Sequence, residues 1–302
     1  MAGGLLNRSI PISILTLAVL FAPMGAGGQM VFDWPLRSAP QPEAVIAGAG
    51  SVFWNPGSLV PEIGTEREVW IIHVDGPDAT GIGGVGLAGA TALPVGFRIG
   101  VGYWHLGVDG IPRTTTSPER EIGEIHVSED VAVVAVAQNV GSRTGIGGGV
   151  RFQRGSAGKE SLTRVGGELG IHHRATDLPL SPRLGLTVRG VGVELETLLG
   201  TELTLPALAS SRIPVRIGYG LKTDKNLRAE DHRFSLRAAW MDQFHLGMGL
   251  SYIGKRDGWT PLWMIGADVG RYSLSVLRES LANGFGATHY FQASVRFPRG
   301  RS

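Results

Sequence analysis

The chain has 302 residues, no cysteine and a formal net charge of +2, and glycine occupies 46 positions, about 15% where about 7% is usual. Charged residues make up 18%, below the usual share of about 25%. The lack of cysteine excludes a disulfide scaffold and thiolate metal sites. The basic residues are scattered, so nucleic acid is not expected as a partner. After the first 28 residues, no run of about 18 apolar residues predicts a membrane-spanning helix.

Residues 1–28 are predicted to form a secretory signal peptide. A short positively charged start at Asn7 and Arg8 precedes a compact apolar run, and the small residues Ala26 and Gly28 precede a cleavage site before Gln29. The run is too short for a stable membrane helix. An uncleaved N-terminal anchor is the alternative. We therefore expect the mature chain to leave the cytoplasm.

The rest of the sequence alternates apolar residues with glycine, small or polar ones. This period of two predicts strands with two different faces. In residues 94–105, Val101 and Tyr103 share one face, while Arg98 and Gly100 share the other. The alternation recurs around residues 146–153, 165–172, 213–222, 244–252 and 291–297. Each run has about 9 to 11 residues, the length that a tilted strand needs to cross a bilayer.

The pattern predicts an all-β fold, an antiparallel transmembrane β-barrel of about 14 strands within a range of about 12 to 16. Residues 29–64 are predicted to be a plug-like segment at the barrel lumen or its periplasmic mouth, residues 65–297 the barrel, and residues 298–302 a C-terminal tail. The expected location is the outer membrane, with lipid as a partner of the apolar face. A soluble exported β-sandwich or propeller is the alternative.

Polar side chains on the second face are expected to line the lumen. The strongest candidates alternate with apolar residues on single strands and are Arg98, Arg151, Glu168, His172, Arg216 and His245. Aromatic residues near the ends of the runs favour girdles at the membrane interfaces, and the set is Trp70, Tyr103, Trp104, Trp240, Tyr252, Trp259, Trp263, Tyr272 and Tyr290.

The connections are expected to differ between the two ends of the barrel. Tight breaks are predicted at Leu93-Pro94, Ser128-Glu129 and Met241-Asp242, and longer polar loops at residues 107–120, 223–231 and 254–259. Short turns on one side and longer loops on the other are typical of outer-membrane barrels.

Catalytic and cofactor motifs are weak. Gly81, Gly83 and Gly86 form G-x-G-x-x-G, but no helix is predicted to open there for a dinucleotide. His172 and His173 are adjacent, so on a strand they point to opposite faces and cannot share a metal. Neither H-E-x-x-H nor G-x-S-x-G occurs. We expect no enzyme, cofactor or metal site, although a serine, histidine and acid could still converge in space.

Three stretches carry a resemblance to a known family. AGAGSVFWNPGSL at residues 47–59 resembles the N-terminal signature of the FadL-like outer-membrane proteins, especially the PorV/PorQ branch. SRIPVRIGYGLK at residues 211–222 and FGATHYFQASVRF at residues 285–297 resemble two strands of that branch. The alternation of apolar and polar residues is similar to that family over most of the mature chain. Only these three stretches match as motifs.

The resemblance implies one of two functions. Some relatives pass hydrophobic small molecules across the outer membrane, and others serve type IX secretion by binding secretion-system proteins. It also implies an N-terminal segment that folds into or under the barrel, in which Asn55 and Pro56 are the conspicuous pair. Phe53 and Trp54 are too apolar to lie free in the periplasm, so we expect Phe53, Trp54, Asn55 and Pro56 to form the plug or gate. In the secretion hypothesis, residues 107–120 and 223–231 would be the partner surfaces.

Overall fold

The computed structural model describes residues 39–59, 65–93, 96–114, 121–191, 195–205, 213–241, 243–253, 258–280 and 286–298. The predicted signal peptide, the first part of the predicted plug segment and residues 60–64 lie outside these ranges. Among the described residues, no helix has the length and apolar character needed to cross a membrane.

The described chain forms a closed antiparallel barrel of 14 strands, which confirms the predicted fold. Each strand pairs with the next along the chain, and β1 pairs with β14 to close the sheet. The strands are β1 Thr65–Asp75, β2 Ile82–Ala92, β3 Phe97–Thr114, β4 Glu121–Val140, β5 Thr144–Ala157, β6 Glu160–Arg174, β7 Arg183–Val191, β8 Glu196–Leu205, β9 Val215–Thr223, β10 Ala229–Trp240, β11 Phe244–Ile253, β12 Gly258–Val269, β13 Tyr272–Ser280 and β14 Ala287–Pro298.

The alternation of residues decides which side chains face outward. On β3, Val101 is 51% exposed and Arg98 only 2%, so the apolar residue faces out and the arginine faces the interior. The same assignment holds on β11, where Met248 and Leu250 are exposed and Ser251 is buried. Closure pairs each of the 14 described strands on both sides, so none of them forms an open sheet edge.

The two ends of the barrel do not differ in the way that the sequence predicts. We call the end where β1 begins and β14 finishes the terminal end, and the opposite one the far end. The strand bounds leave 2 to 9 residues between strands at the terminal end and 2 to 6 residues at the far end. The prediction of short turns on one side and longer loops on the other is therefore wrong.

β3 and β4 are the longest strands, with 18 and 20 residues. Ser128-Glu129 lies inside β4, so the predicted break there is wrong, and much of the predicted loop 107–120 belongs to β3. At the far end the outward face of this hairpin becomes polar: His105 and Asp130 are 2.9 Å apart, and His126 and Asp109 are 2.5 Å apart. These predictions are wrong because the outer face of the hairpin is polar, so the strands continue where the apolar alternation stops.

Candidate functional site: the plugged lumen

Residues 39–59 lie inside the barrel, and we call this segment the plug. It contains three short 3-10 helices, Glu43–Val45, Ala49–Phe53 and Pro56–Leu59. Gly48 precedes the second helix with φ 89°, a conformation that glycine adopts without a steric penalty. All residues from Ala49 to Leu59 are buried. Irregular backbone of this kind is tolerated at membrane depth where protein covers it.

The side chain of Asn55 joins the plug to the barrel wall. Its Nδ2 donates to the carbonyl oxygens of Ala44, at 2.6 Å, and of Ile171 in β6, at 3.1 Å. Its Oδ1 accepts from the backbone N–H of Gly57 at 2.9 Å. The arrangement needs two donors and one acceptor on one short side chain, which an amide supplies. Asn55 therefore organises the plug and fastens it to the wall.

Inward-facing glycines let the plug rest directly on the backbone of the wall. A Cβ on Gly147 would lie 2.6 Å from the carbonyl oxygen of Pro56, and one on Gly185 would collide with the carbonyl oxygen of Ala44. We call these positions the glycine floor, and its members are Gly147, Gly170, Gly185, Gly200, Gly218, Gly220 and Gly247. The high glycine content of the chain therefore has a packing cause on β5 to β9 and β11.

Three aromatic rings meet where the plug touches β1 and β3. The ring centroid of Phe53 lies 6.0 Å from those of Trp70 and Trp104, and the two tryptophan rings are stacked at 6.4 Å. These separations lie in the range where aromatic pairs attract each other. Trp70, Trp104 and Tyr290 are buried, so the prediction that they belong to interface girdles is wrong.

The aromatic trio belongs to a larger apolar wall on one side of the lumen. Its inward residues come mainly from β1 to β4 and β12 to β14, and they pack against apolar residues of the plug. The cluster includes Ile46, Val52, Phe53, Leu59, Trp70, Ile72, Val74, Trp104, Leu106, Val131, Leu262, Leu277 and Tyr290. This half of the interior is mainly apolar, although the side chains of Arg98, Glu129 and Glu279 are also buried on its strands.

The opposite side of the lumen, on β5 to β10, carries paired charges, and we call it the charged wall. Arg151 Nε donates to Glu168, and Arg151 Nη2 donates to the carbonyl oxygen of Phe53 at 2.6 Å. Glu196 lies 2.6 Å from Arg189 Nε and 2.9 Å from Lys222 Nζ. Buried charges are tolerated when they are paired in this way.

The charged wall also binds the plug through Glu43. Arg233 Nη2 lies 2.9 Å from Glu43 Oε1, so the first 3-10 helix of the plug is held by an ion pair to β10. Glu202 forms an ion pair with Arg237. Its Oε1 also lies 3.8 Å from Arg183 Nη1. On the other side of the lumen the plug is held mainly by apolar packing, together with a hydrogen bond of 3.1 Å from the Ala49 N–H to Glu68 Oε2 on β1.

A cavity of about 480 Å³ opens at the terminal end, between the plug and the wall. Arg183, Arg216 and Arg237 contribute to its lining, and His245 Nε2 lies 2.8 Å from Asp268 Oδ2 within it. Trp70 and Met264 supply apolar lining. The plug therefore borders a cavity at the terminal end whose lining is largely polar.

The sequence-predicted residues all lie in the interior of the barrel. Phe53, Trp54, Asn55 and Pro56 are buried in the plug. The lumen candidates occupy inward positions on β3, β5, β6, β9 and β11, and they are Arg98, Arg151, Glu168, His172, Arg216 and His245. Their functional roles stay predictions.

Several contributors were missed from the sequence. Trp104 follows Arg98, Gly100 and Gly102 at even spacing, so the alternation itself places it inward. Trp70 had no such signal, because β1 is apolar on both faces. Glu43 lies in a segment without periodicity. Among the described residues, no group of three or more His, Asp or Glu side chains could hold a metal ion.

Comparison with solved structures gives the fold a context. The toluene transporter TbuX of Ralstonia pickettii superimposes with TM-score 0.57 at 11% identity, over 83% of this chain and 94% of that one. The toluene transporter TodX of P. putida gives 0.54 at 11%, over 84% and 95%. A FadL homologue of Pseudomonas aeruginosa gives 0.54 at 9%, over 85% and 96%.

The likeness shows that the chain has the fold of the FadL-type barrels. No protein-family model and no curated protein sequence matches the chain. The resemblance to the PorV/PorQ branch stays a prediction.

Proposed function

We propose that the protein is an outer-membrane channel for small hydrophobic molecules, with the plug as its gate. The observation that carries the proposal is the asymmetric seating of the plug. Hydrogen bonds and ion pairs hold it to the charged wall. The apolar wall meets it mainly through side-chain packing, with a hydrogen bond from the Ala49 N–H to Glu68 at one edge. Apolar contacts can be exchanged for contacts with an apolar ligand, because they have no directional requirement. The ligand path would therefore run along the apolar wall.

The aromatic trio is the proposed contact point for the ligand. Phe53 belongs to the plug, whereas Trp70 and Trp104 belong to the wall, so a shift of the plug would open the space between them. Flat apolar ligands gain both burial and ring contacts in such a site. Transport of this kind needs no covalent chemistry.

The fold comparison supports the proposal. Two barrels of similar fold are described as toluene transporters. The apolar outer face of the strands fits a lipid environment. The even strand number and the signal peptide predicted for residues 1–28 fit an exported barrel.

The test is entry of an apolar dye into intact cells. Cells that produce the full chain should take up N-phenylnaphthylamine faster than cells without it, and deletion of residues 39–59 should increase uptake further. A hydrophilic dye of similar size serves as the control, because a leaky or misfolded barrel would admit both. Equal uptake of the apolar dye with and without the protein would refute the channel.

A secretion role of the PorV/PorQ type is the second candidate. The observation that favours it is the polar outer face of the β3–β4 hairpin, where His105, Asp109, His126 and Asp130 offer exposed ionisable groups to a protein partner. Co-purification of secretion components that depends on this hairpin, together with unchanged dye entry, would favour this role over the channel.

A further inference from the structure

A groove of about 460 Å³ lies on the outer surface of the barrel, across β6 to β9. Two rows of outward side chains border it. The upper row is aliphatic and consists of Ile171, Leu186 and Leu199, which are neighbours in the register of three strands. The lower row, nearer the terminal end, consists of His173, Leu184, Thr201 and Tyr219.

The base of the groove is made of glycine. Gly185 and Gly200 are register partners on β7 and β8, and both line the groove. On the inner side, a Cβ on Gly185 would collide with Ala44, and one on Gly200 would lie 3.1 Å from Pro42 Cβ. A single layer of backbone therefore separates the outer groove from the plug. Side chains cannot stiffen this layer, because it has none there.

Ile171 connects the groove to the plug by a second route. Its side chain borders the groove on the outside. Its carbonyl oxygen accepts the hydrogen bond from Asn55 Nδ2 inside the barrel. A displacement of β6 at this residue would consequently lengthen the bond that fastens the plug.

We propose that the groove binds an acyl chain of a membrane phospholipid and that this chain keeps the plug seated. The groove is continuous with the apolar outer surface, so lipid tails reach it without crossing a polar region. The lower row carries the polar groups expected near lipid headgroups: His173 hydrogen-bonds with Thr144, and Tyr219 with His232, both at 2.9 Å.

The proposed effect of the lipid follows from the thin wall. A chain packed between the two rows fills the outer side of the glycine layer and opposes its outward movement away from Ala44. Because coupling between two sites is reciprocal, release of the plug would also weaken lipid binding. The regulatory role rests on the gating role proposed above, whereas lipid binding itself does not.

The experiment tests lipid binding by filling the groove with a larger side chain. Thr201→Phe places a ring in the lower row, and Ala267→Phe places the same ring on the outer face of β12 as the matched control. After detergent exchange, native mass spectrometry should find a retained phospholipid on the wild-type protein and on Ala267→Phe but not on Thr201→Phe. Leu199→Ala, which removes part of the upper row, should also lose the lipid and guards against a folding defect of the first variant.

Hydrogen exchange of the plug amides gives the second readout. In the wild-type protein, removal of phospholipid should speed exchange of residues 44–58 roughly tenfold, within the usual range for coupled sites. Thr201→Phe should exchange slowly even without lipid. Equal lipid retention by Thr201→Phe and the wild type, or a bound apolar small molecule in place of phospholipid, would overturn the site. Lipid binding without any change in plug exchange would overturn the regulation, whereas failure of the gate would appear in dye entry alone.

Discussion

Arg151 on β5 and Glu168 on β6 form an ion pair inside the barrel, and the same guanidinium donates to the carbonyl oxygen of Phe53 in the plug. One side chain therefore neutralises a buried carboxylate and holds the plug backbone next to the aromatic trio. The plug and the charged wall are therefore linked next to the proposed contact point for the ligand.

Arg151→Met should destabilise the barrel more than most interior substitutions. It leaves the carboxylate of Glu168 buried without its partner, at a cost of about 3 to 5 kcal/mol. The measurement is the free energy of unfolding in urea, with the protein folded reversibly into lipid vesicles. Combining Arg151→Met with Glu168→Gln should recover most of the loss, because the uncompensated charge is removed. Additive losses in the double variant would contradict a direct interaction.

Asn55→Ala should loosen the plug while the barrel remains folded. The substitution removes the amide donor to the carbonyl oxygens of Ala44 and Ile171 and the acceptor of the buried Gly57 N–H. A buried polar group left unsatisfied costs about 1 to 3 kcal/mol. The chain has no cysteine, so Ser58→Cys supplies a single thiol inside the plug whose labelling by a polar maleimide reports its release. Labelling should be faster in the Asn55→Ala background and unchanged with Asn226→Ala in the exposed β9–β10 connection. Equal labelling rates in both backgrounds would mean that Asn55 does not fasten the plug.

Gly185→Ala should also displace the plug, although the change adds only a methyl group. The new Cβ would collide with the carbonyl oxygen of Ala44, and overpacking of this kind costs about 1 to 3 kcal/mol. Gly89→Ala is the control, because its Cβ would meet no atom closer than 3.9 Å. We expect faster labelling of Ser58→Cys, and increased conductance in planar bilayers, for Gly185→Ala alone. If both variants behaved like the parent, the absence of a side chain at Gly185 would not be needed to seat the plug.

The two faces of β13 should respond differently to the same charge. Val276 is 44% exposed on the outer face, so Val276→Arg should cost about 2 to 4 kcal/mol if the site lies at the bilayer midplane. Ser275 lines the polar cavity, and Ser275→Arg has water and space available. Reversible folding into vesicles measures both. An equal loss of stability would show that this outer face does not meet lipid.

The barrel itself could be predicted because its signal is periodic and repeated. On β3, β6 and β11, outward apolar residues alternate with inward glycine or polar residues. The sequence of each of these strands therefore shows which side chains face outward. β1 lacks this contrast: Ile71 faces outward and Ile72 packs inside, so both faces are apolar for different reasons. Alternation along a strand shows that its two faces differ in polarity. Where the interior is as apolar as the outer surface, the two faces cannot be distinguished from the sequence.

The plug contacts could not be predicted for a different reason. The bond between Asn55 and Ile171 joins residues 116 positions apart, and neither residue carries a local sign of the other. The Asn-Pro turn predicts a bend but not what the amide will meet. Only closure of the barrel brings β6 to the plug. The contact therefore depends on the arrangement of all 14 strands.

The plug also has a consequence for how such a barrel can change over evolution. It touches the glycine floor on β5 to β9 and β11 and the apolar wall on β1 to β3 at the same time, so its dimensions match one particular bore. The diameter of a barrel grows with the number of strands. Duplication or loss of a single hairpin would leave a gap around the plug or force it out, although every remaining strand could still pair. Strand number and plug sequence must therefore be inherited together, and lineages that alter one are expected to have replaced the other.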